Sequence, residues 1–370
     1  MTMRMILAAL MIAACSEVEE APAAPAVGGK PFSVATMADL DAPWAMTFLP
    51  DGRMLVTEKD GRLLLLSADA RQRREIAGVP PVDSAGQGGL MDVVLHPGFA
   101  TNRLVYFSFS EARGGGKHVV LARGRLGEDR LEDVAVLFRA SPDVPGNGHY
   151  SGRIAFAPDG HLFFTAGDRQ KFDPAQDRRA TLGKVMRLTD TGAPAPGNPL
   201  AAQGFHPAVW SYGHRNLLGI AFDGAGRLWE QEMGPRGGDE VNLILPGRNY
   251  GWPIVSDGDH YDGRNIPDHA TRSDYEAPKV SWNPVISPAG LVFYTGAMFP
   301  AWRGSLLIGG LSSEALVRVG IDGDRAREAE RFDMGTRIRE VEQGPDGAVW
   351  LLEDGGRGAR GRLFRLTANE

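Results

Sequence analysis

Hydrophobic positions along the chain alternate with polar ones over short runs, as in Leu104-Val-Tyr-Phe-Ser-Phe109, and most connecting runs lack the i, i+3, i+4 spacing of an amphipathic helix. The pattern predicts strands. A recurring turn punctuates them: Phe48-Leu-Pro-Asp-Gly52 before RMLVTE, Phe156-Ala-Pro-Asp-Gly160 before HLFFTAG, and Gln343-Gly-Pro-Asp-Gly347 before AVWLLE. Looser copies stand at 96–98, 222–226 and 299–302. Each copy reads as a strand, a turn carrying Pro and Gly, and a second strand. Six copies, centred near residues 51, 97, 159, 224, 301 and 346, predict an all-β chain, a six-bladed β-propeller of four-stranded antiparallel blades over 31–370. A β-sandwich with chance PDG turns needs fewer copies. Ring closure is expected between the strand near 32–35 and the last strands, 348–353 and 362–367.

Composition agrees: 48 Gly and 25 Pro imply many turns, and 43% hydrophobic with 23% charged residues is ordinary for a globular body. Against 46 Asp and Glu stand 40 Lys and Arg, with no basic tract longer than Arg71-Gln72-Arg73-Arg74, which argues against nucleic acid as a partner. One cysteine, Cys15, leaves no disulfide framework, no Cys-ligated zinc or iron–sulfur site and no C-x-x-C-H haem attachment. Any redox chemistry therefore needs a different cofactor.

Residues 1–14, MTMRMILAALMIAA, have the layout of a secretory signal, a positive charge followed by an apolar run too short to span a bilayer. The run ends in Ile12-Ala13-Ala14-Cys15, which resembles a bacterial lipobox. This predicts a lipidated Cys15 and a protein anchored on the periplasmic side of a bacterial membrane, the outer membrane being expected. The alternative is an ordinary signal with an incidental cysteine and a soluble periplasmic product. Residues 15–30, small, acidic and Pro/Ala-rich, read as a disordered tether.

Four polar segments exceed what bare blades need. Gly86-Gln87-Gly88-Gly89 is a Gly-rich turn carrying one amide. Gly146-Asn-Gly-His149-Tyr-Ser-Gly152-Arg153 places an imidazole at a strand entrance, where His149 could serve as a general base or be structural. The third runs from Ser211-Tyr-Gly-His214-Arg215-Asn216 through Gly234-Pro235-Arg-Gly-Gly-Asp239-Glu240-Val-Asn242 to Asn249-Tyr250-Gly-Trp252-Pro253. Its carboxylates Asp239 and Glu240, with the carbonyls near Gly234, Pro235 and Tyr250, are the hard oxygen donors that calcium selects; a solvated loop is the other reading. The fourth, Thr336-Arg337-Ile338-Arg339-Glu340, sets two guanidinium forks at i, i+2 on one face of a strand, a site for a planar polycarboxylate or else a solvent-facing edge.

Taken in order, GQGGLMDVVLHPGF, NGHYSGRI, SYGHRN, EMGPRGGDEVN, NYGWP and RIREVEQGPDG resemble the PQQ-dependent soluble aldose sugar dehydrogenases of the glucose/sorbosone dehydrogenase family, from about 41 to 367. The resemblance implies a six-bladed propeller that oxidises the anomeric carbon of an aldose to a lactone, with PQQ and calcium as cofactors. It implies His149 as general base, Arg215 as stabiliser of charge on the quinone oxygen, and Gln87, Asn216, Arg337 and Arg339 as cofactor holders, with Tyr261 in a loop near the cofactor. It implies a calcium on the carbonyls of Gly234 and Pro235, and a second, structural calcium on Glu240 and Tyr250. Where the family's glucose dehydrogenases carry a lysine over the cofactor, this chain has Ser312, which the resemblance implies as a cofactor-binding residue in its place. Lacking a haem motif, such an enzyme needs a separate electron acceptor; monomer and dimer are both open. A calcium-dependent propeller lactonase and a non-catalytic binding propeller are the alternatives, the first without use for twin arginines, the second without need of His149, Arg215 and Asn216.

Overall fold

The computed structural model describes residues 29–355 and 360–369, so the leader, the lipobox and the tether up to residue 28 lie outside the described residues. Six four-stranded antiparallel sheets follow one another. Their innermost strands are Pro43–Phe48, Leu90–Leu95, Ser151–Phe156, Leu217–Phe222, Pro288–Phe293 and Ile338–Gln343, each packed against the next and the last against the first. These strands open blades 1 to 6. Phe32–Asp41 supplies the outermost strand of blade 6, pairing antiparallel with Arg360–Ala368, so the two ends of the ring are fastened by main-chain hydrogen bonds. The expected partner at 348–353 lies one strand further in.

The recurring turn joins first and second strands in every blade. In the PDG copies the aspartate accepts a backbone N–H two residues on, as Asp51 does from Arg53 at 3.1 Å, and the glycine holds a positive φ, +84° at Gly52. The copy at 222–226 keeps this device, Asp223 accepting from Ala225 N at 2.9 Å with Gly226 at φ +76°, while the other two looser copies carry single helical turns, Phe99–Asn102 and Pro300–Trp302. Trp302 stacks on Phe299 at 4.2 Å between ring centroids and meets Phe32 edge-on at 5.8 Å, joining blade 5 to the closing strand.

Alternation at 104–109 marks a strand but not a solvent-facing side. Val105 through Ser110 are all buried, because a middle strand has a neighbouring blade on each face. Ser108 survives there because its hydroxyl accepts the backbone N–H of Asp92 at 3.0 Å. That bond belongs to a recurring device. Every innermost strand bulges: at Trp44, at Met91 and Asp92, at Gly152 and Arg153, at Leu218, at Gly290 and at Arg339. In blades 1 and 3 the hydroxyls of Thr57 and Thr165 play the Ser108 part, accepting the N–H of Ala45 at 3.0 Å and of Arg153 at 2.8 Å.

The bulges turn side chains into the central channel. Arg153 ties five blades together: its guanidinium lies 4.2 Å from the Trp44 ring, donates to Leu218 O at 2.7 Å, and pairs with both Asp92 and Glu340. Burial, with the Asp92 charge beside it, pushes the Glu340 carboxyl up to about 7 despite Arg153.

Candidate active site

Above this plug the channel opens into a cavity of about 570 Å3. Trp44, Met91, Leu218, Met233 and Leu311 give it apolar walls; Gln87, Asn216, Lys59, Arg337, Arg339 and Asp354 give it polar ones. An adjoining pocket of about 240 Å3 is lined by His149, Phe172, Arg215, Trp252 and Tyr261.

His149 is held from both ends. Its backbone N–H donates to Gln87 Oε1 at 2.6 Å, and its Nδ1 lies 2.7 Å from Asp168 Oδ1. Asp168 also accepts from Gln170 N and from Trp252 Nε1, each at 2.8 Å. Burial alone would raise the Asp168 carboxyl, but the bonds it receives, His149's first, hold it below its ordinary 3.8. A carboxylate fixes the Nδ1–H tautomer and leaves Nε2 with its lone pair for the pocket. Burial pushes the imidazole below its ordinary 6.5, Asp168 opposing and Arg215 adding to the shift, so it stands neutral, as a base must. The surrounding backbone is strained: His149, Ser151, Arg169, Gln170 and Phe172 all hold positive φ between 47° and 62°.

Arg215 stands over the rings of Trp252 and Tyr261, 5.2 and 5.8 Å away, and donates to Met233 O at 2.9 Å and to Tyr261 Oη at 3.3 Å. Among the described residues its buried Nε has no partner. Its backbone N–H and that of Asn216 both donate to Glu232 Oε2, while Glu232 Oε1 lies 3.0 Å from His214 Nδ1. The His214 of SYGHRN thus acts through Glu232 to set the two residues after it. Asn216 faces the cavity.

Arg337 and Arg339 converge, but not as neighbours on a strand face. The strand begins at Ile338, Arg337 precedes it, and Arg339 occupies the bulge. Both guanidinium groups bind one oxygen of Asp354, at 2.8 and 3.0 Å. Ser312 lies outside the cavity wall: it is exposed, its hydroxyl 3.4 Å from Val285 O, and Leu311 faces the cavity instead.

Gly234, Pro235, Glu240 and Tyr250 share a void of about 10 Å3 with Glu232, room for one small ion or water. Asp239 drops out as a donor, since its carboxylate accepts the N–H groups of Gly234, Ile286 and Ser287. The Tyr250 hydroxyl is spent between Leu243 O and Leu245 N, leaving only its carbonyl, and that accepts from His269 Nε2 at 3.1 Å. His269 Nδ1 lies 3.3 Å from Asp257 and 3.9 Å from Glu240. Burial raises the Glu240 carboxyl to about 8, the charge of Glu232 adding to it. His214, Glu230 and Glu232 bring ligand atoms within 4.8 Å of one another.

Sequence reasoning missed Asp168, Trp252 as its partner, Asp354 and Lys59. Nothing local marks Asp168 beyond the Gly-Asp that ends a strand; its meaning depends on a histidine 19 residues away.

A family model described as Glucose / Sorbosone dehydrogenase matches residues 40–365. The aldose sugar dehydrogenase YliI of Escherichia coli K12 is 38% identical over 325 residues, covering 85% of this chain and 88% of that protein. The apo crystal structure of the soluble aldose sugar dehydrogenase from E. coli superposes with a TM-score of 0.87 at 36% identity, over 91% of this chain and 100% of that one. The PQQ-bound aldose sugar dehydrogenase of Streptomyces coelicolor superposes at 0.74 with 30% identity, over 93% and 100%. With its six blades, its bulged channel and these matches, the chain belongs to the glucose/sorbosone dehydrogenase family.

Proposed function

We propose that this protein is a PQQ- and calcium-dependent oxidoreductase that converts an aldose to its lactone and passes the electrons to a separate acceptor. The observation that carries this reading is the His149–Asp168 pair, whose free Nε2 belongs to a pocket bordering a cationic cavity. Two guanidinium forks, apolar walls that include Trp44, and a buried Arg215 Nε without a partner among the described residues fit a planar polycarboxylate bearing a quinone oxygen.

PQQ, when bound, supplies the carbonyl carbon that accepts hydride. The chain's residues do the rest. His149 Nε2 takes the proton of the anomeric hydroxyl as C1 loses its hydride and the C1–O bond becomes the lactone carbonyl. Asp168 stabilises the resulting imidazolium. Arg215 meets the negative charge that hydride transfer develops. Gln87 keeps His149 in register through its carbonyl oxygen and leaves its amide NH2 for the cofactor. Asn216, Arg337 and Arg339 hold the cofactor; Tyr261 and Phe172 border the sugar side.

For calcium, the carbonyls of Gly234 and Pro235 with the Glu240 carboxylate offer hard oxygens beside one ion-sized void, so the residues fit one ion, which would serve as a Lewis acid. They do not fit a second on Glu240 and Tyr250, because His269 already faces the carbonyl and both nearby carboxylates. The leader and Cys15 support a periplasmic location with a lipid anchor at Cys15, a soluble periplasmic product being the alternative.

The test is reconstitution of apoprotein with calcium and PQQ, assayed with a panel of aldoses and an artificial acceptor beside controls lacking each addition. Activity that needs both supports the reading. No PQQ binding removes it and turns attention to lactone hydrolysis.

A further inference from the structure

The cavity holds a third cation that the twin arginines do not explain. Lys59 follows the second strand of blade 1, Met54–Glu58, and its backbone is pinned at the channel: its N–H donates to Ala42 O at 3.0 Å and its carbonyl accepts from Leu90 N at 3.1 Å. Gly89 passes so close that a Cβ there would stand 2.2 Å from the Lys59 carbonyl oxygen. With so little backbone freedom, the side chain is committed to the cavity, whose wall it forms together with Gln87, Arg339 and Asp354.

Charge within that wall is unbalanced. Arg337 and Arg339 share the one carboxylate of Asp354. Lys59 Nζ donates only to the neutral carbonyl of Gly86, at 2.6 Å, and among the described residues it has no carboxylate partner. Burial lowers the ammonium's pKa from its ordinary 10.5, and the charge of Arg339 adds to that effect while Asp354 opposes it, so Lys59 lies within electrostatic reach of the arginine cluster. Three cations against one carboxylate leave the wall in need of anionic groups. In blade 5, Leu311 faces the cavity and Ser312 turns to Val285 O, so that wall adds no charge.

We propose that Lys59 is a cofactor-binding residue, pairing with a carboxylate of PQQ distinct from the one held by Arg337 and Arg339. This rests on the PQQ reading above. Its competing role is structural: through Gly86 the ammonium also clamps the loop whose Gln87 holds His149.

Titration of calcium-loaded apoprotein with PQQ, followed by quenching of tryptophan fluorescence, separates the two, since Trp44 lines the cavity. Lys59→Met is expected to weaken PQQ about 10- to 100-fold, the range for a charged hydrogen bond, with Lys59→Arg retaining most of the affinity. The PQQ trimethyl ester, which has no carboxylates, is expected to bind wild type and Lys59→Met alike. Equal losses for PQQ and its ester, or an unchanged PQQ affinity in Lys59→Met, overturn the proposal. If wild type binds no PQQ, both the functional reading and this proposal fall; binding by wild type with an indifferent Lys59→Met removes only the proposal.

Discussion

Replacing Asp168 by Asn changes one atom and tests the reading of the base. Three donors converge on the carboxylate: His149 Nδ1–H, Trp252 Nε1–H and the Gln170 N–H. Asparagine accepts at only one of its two terminal atoms, so its NH2 must confront Trp252 or His149. A buried mismatched donor costs about 1–3 kcal/mol, and loss of a hydrogen bond to a charged group about 1.5–3 kcal/mol. If the NH2 faces His149, the ring escapes the clash by moving its proton to Nε2, which abolishes the base. Together these raise the barrier by roughly 3–5 kcal/mol, about 10²- to 10⁴-fold in kcat. The assay is steady-state oxidation of an aldose at saturating PQQ and calcium from pH 5 to 9, with PQQ affinity measured beside it. A base works only when neutral, so activity rises with pH through the His149 pKa. Burial places that limb below 6.5, and removing Asp168, which opposes the shift, moves it lower still. A variant within about fivefold of wild type, with its acid limb unmoved, would refute this account of His149.

Further outcomes separate binding from chemistry and plug from site. His149→Ala is expected to abolish turnover with PQQ affinity nearly unchanged, whereas Arg337→Ala mainly weakens PQQ, as fluorescence titration and saturation kinetics will show. Arg153→Met leaves Asp92 and Glu340 buried without their cation, so stability to urea should fall by about 3–5 kcal/mol. Glu340 also makes wild type pH-sensitive: its folded pKa of about 7 exceeds the ordinary 4.5, so the stability it contributes is full below pH 4.5 and is lost as pH rises through 7. Urea melts of Glu340→Gln should lack that part of the slope. Calorimetric titration should count one more calcium in His269→Ala than in wild type, because the substitution frees the Tyr250 carbonyl and exposes Asp257 and Glu240; equal counts would show that His269 does not exclude the ion.

The ring of blades was legible because each blade repeats one local instruction, a strand, a turn with Asp and Gly, and a second strand, and local instructions do not depend on distant residues. The PDG turns, the β class and the closing role of the strand at 32 all follow from it. So did His149, Arg215 and Asn216, which lie within short polar motifs, although their roles came from family resemblance and not from spacing. Burial at 105–110 was not legible, because alternation records which residues share a face, while exposure depends on whether another blade covers that face. The twin arginines converge through a bulge and through Asp354, neither of which the i, i+2 spacing encodes. Asp168, Lys59 and His269 could be found only in space, for each acquires its chemistry from a group on another loop or blade. The sequence by itself thus determined the repeating architecture and the polar segments at the channel mouth. Only the tertiary structure decided what surrounds each histidine, Asp168 beside His149, Glu232 beside His214, and Asp257 with the Tyr250 carbonyl beside His269, because proton affinity and ligand choice are set by burial and by the charges within a few ångströms, and ring closure is what brings those together.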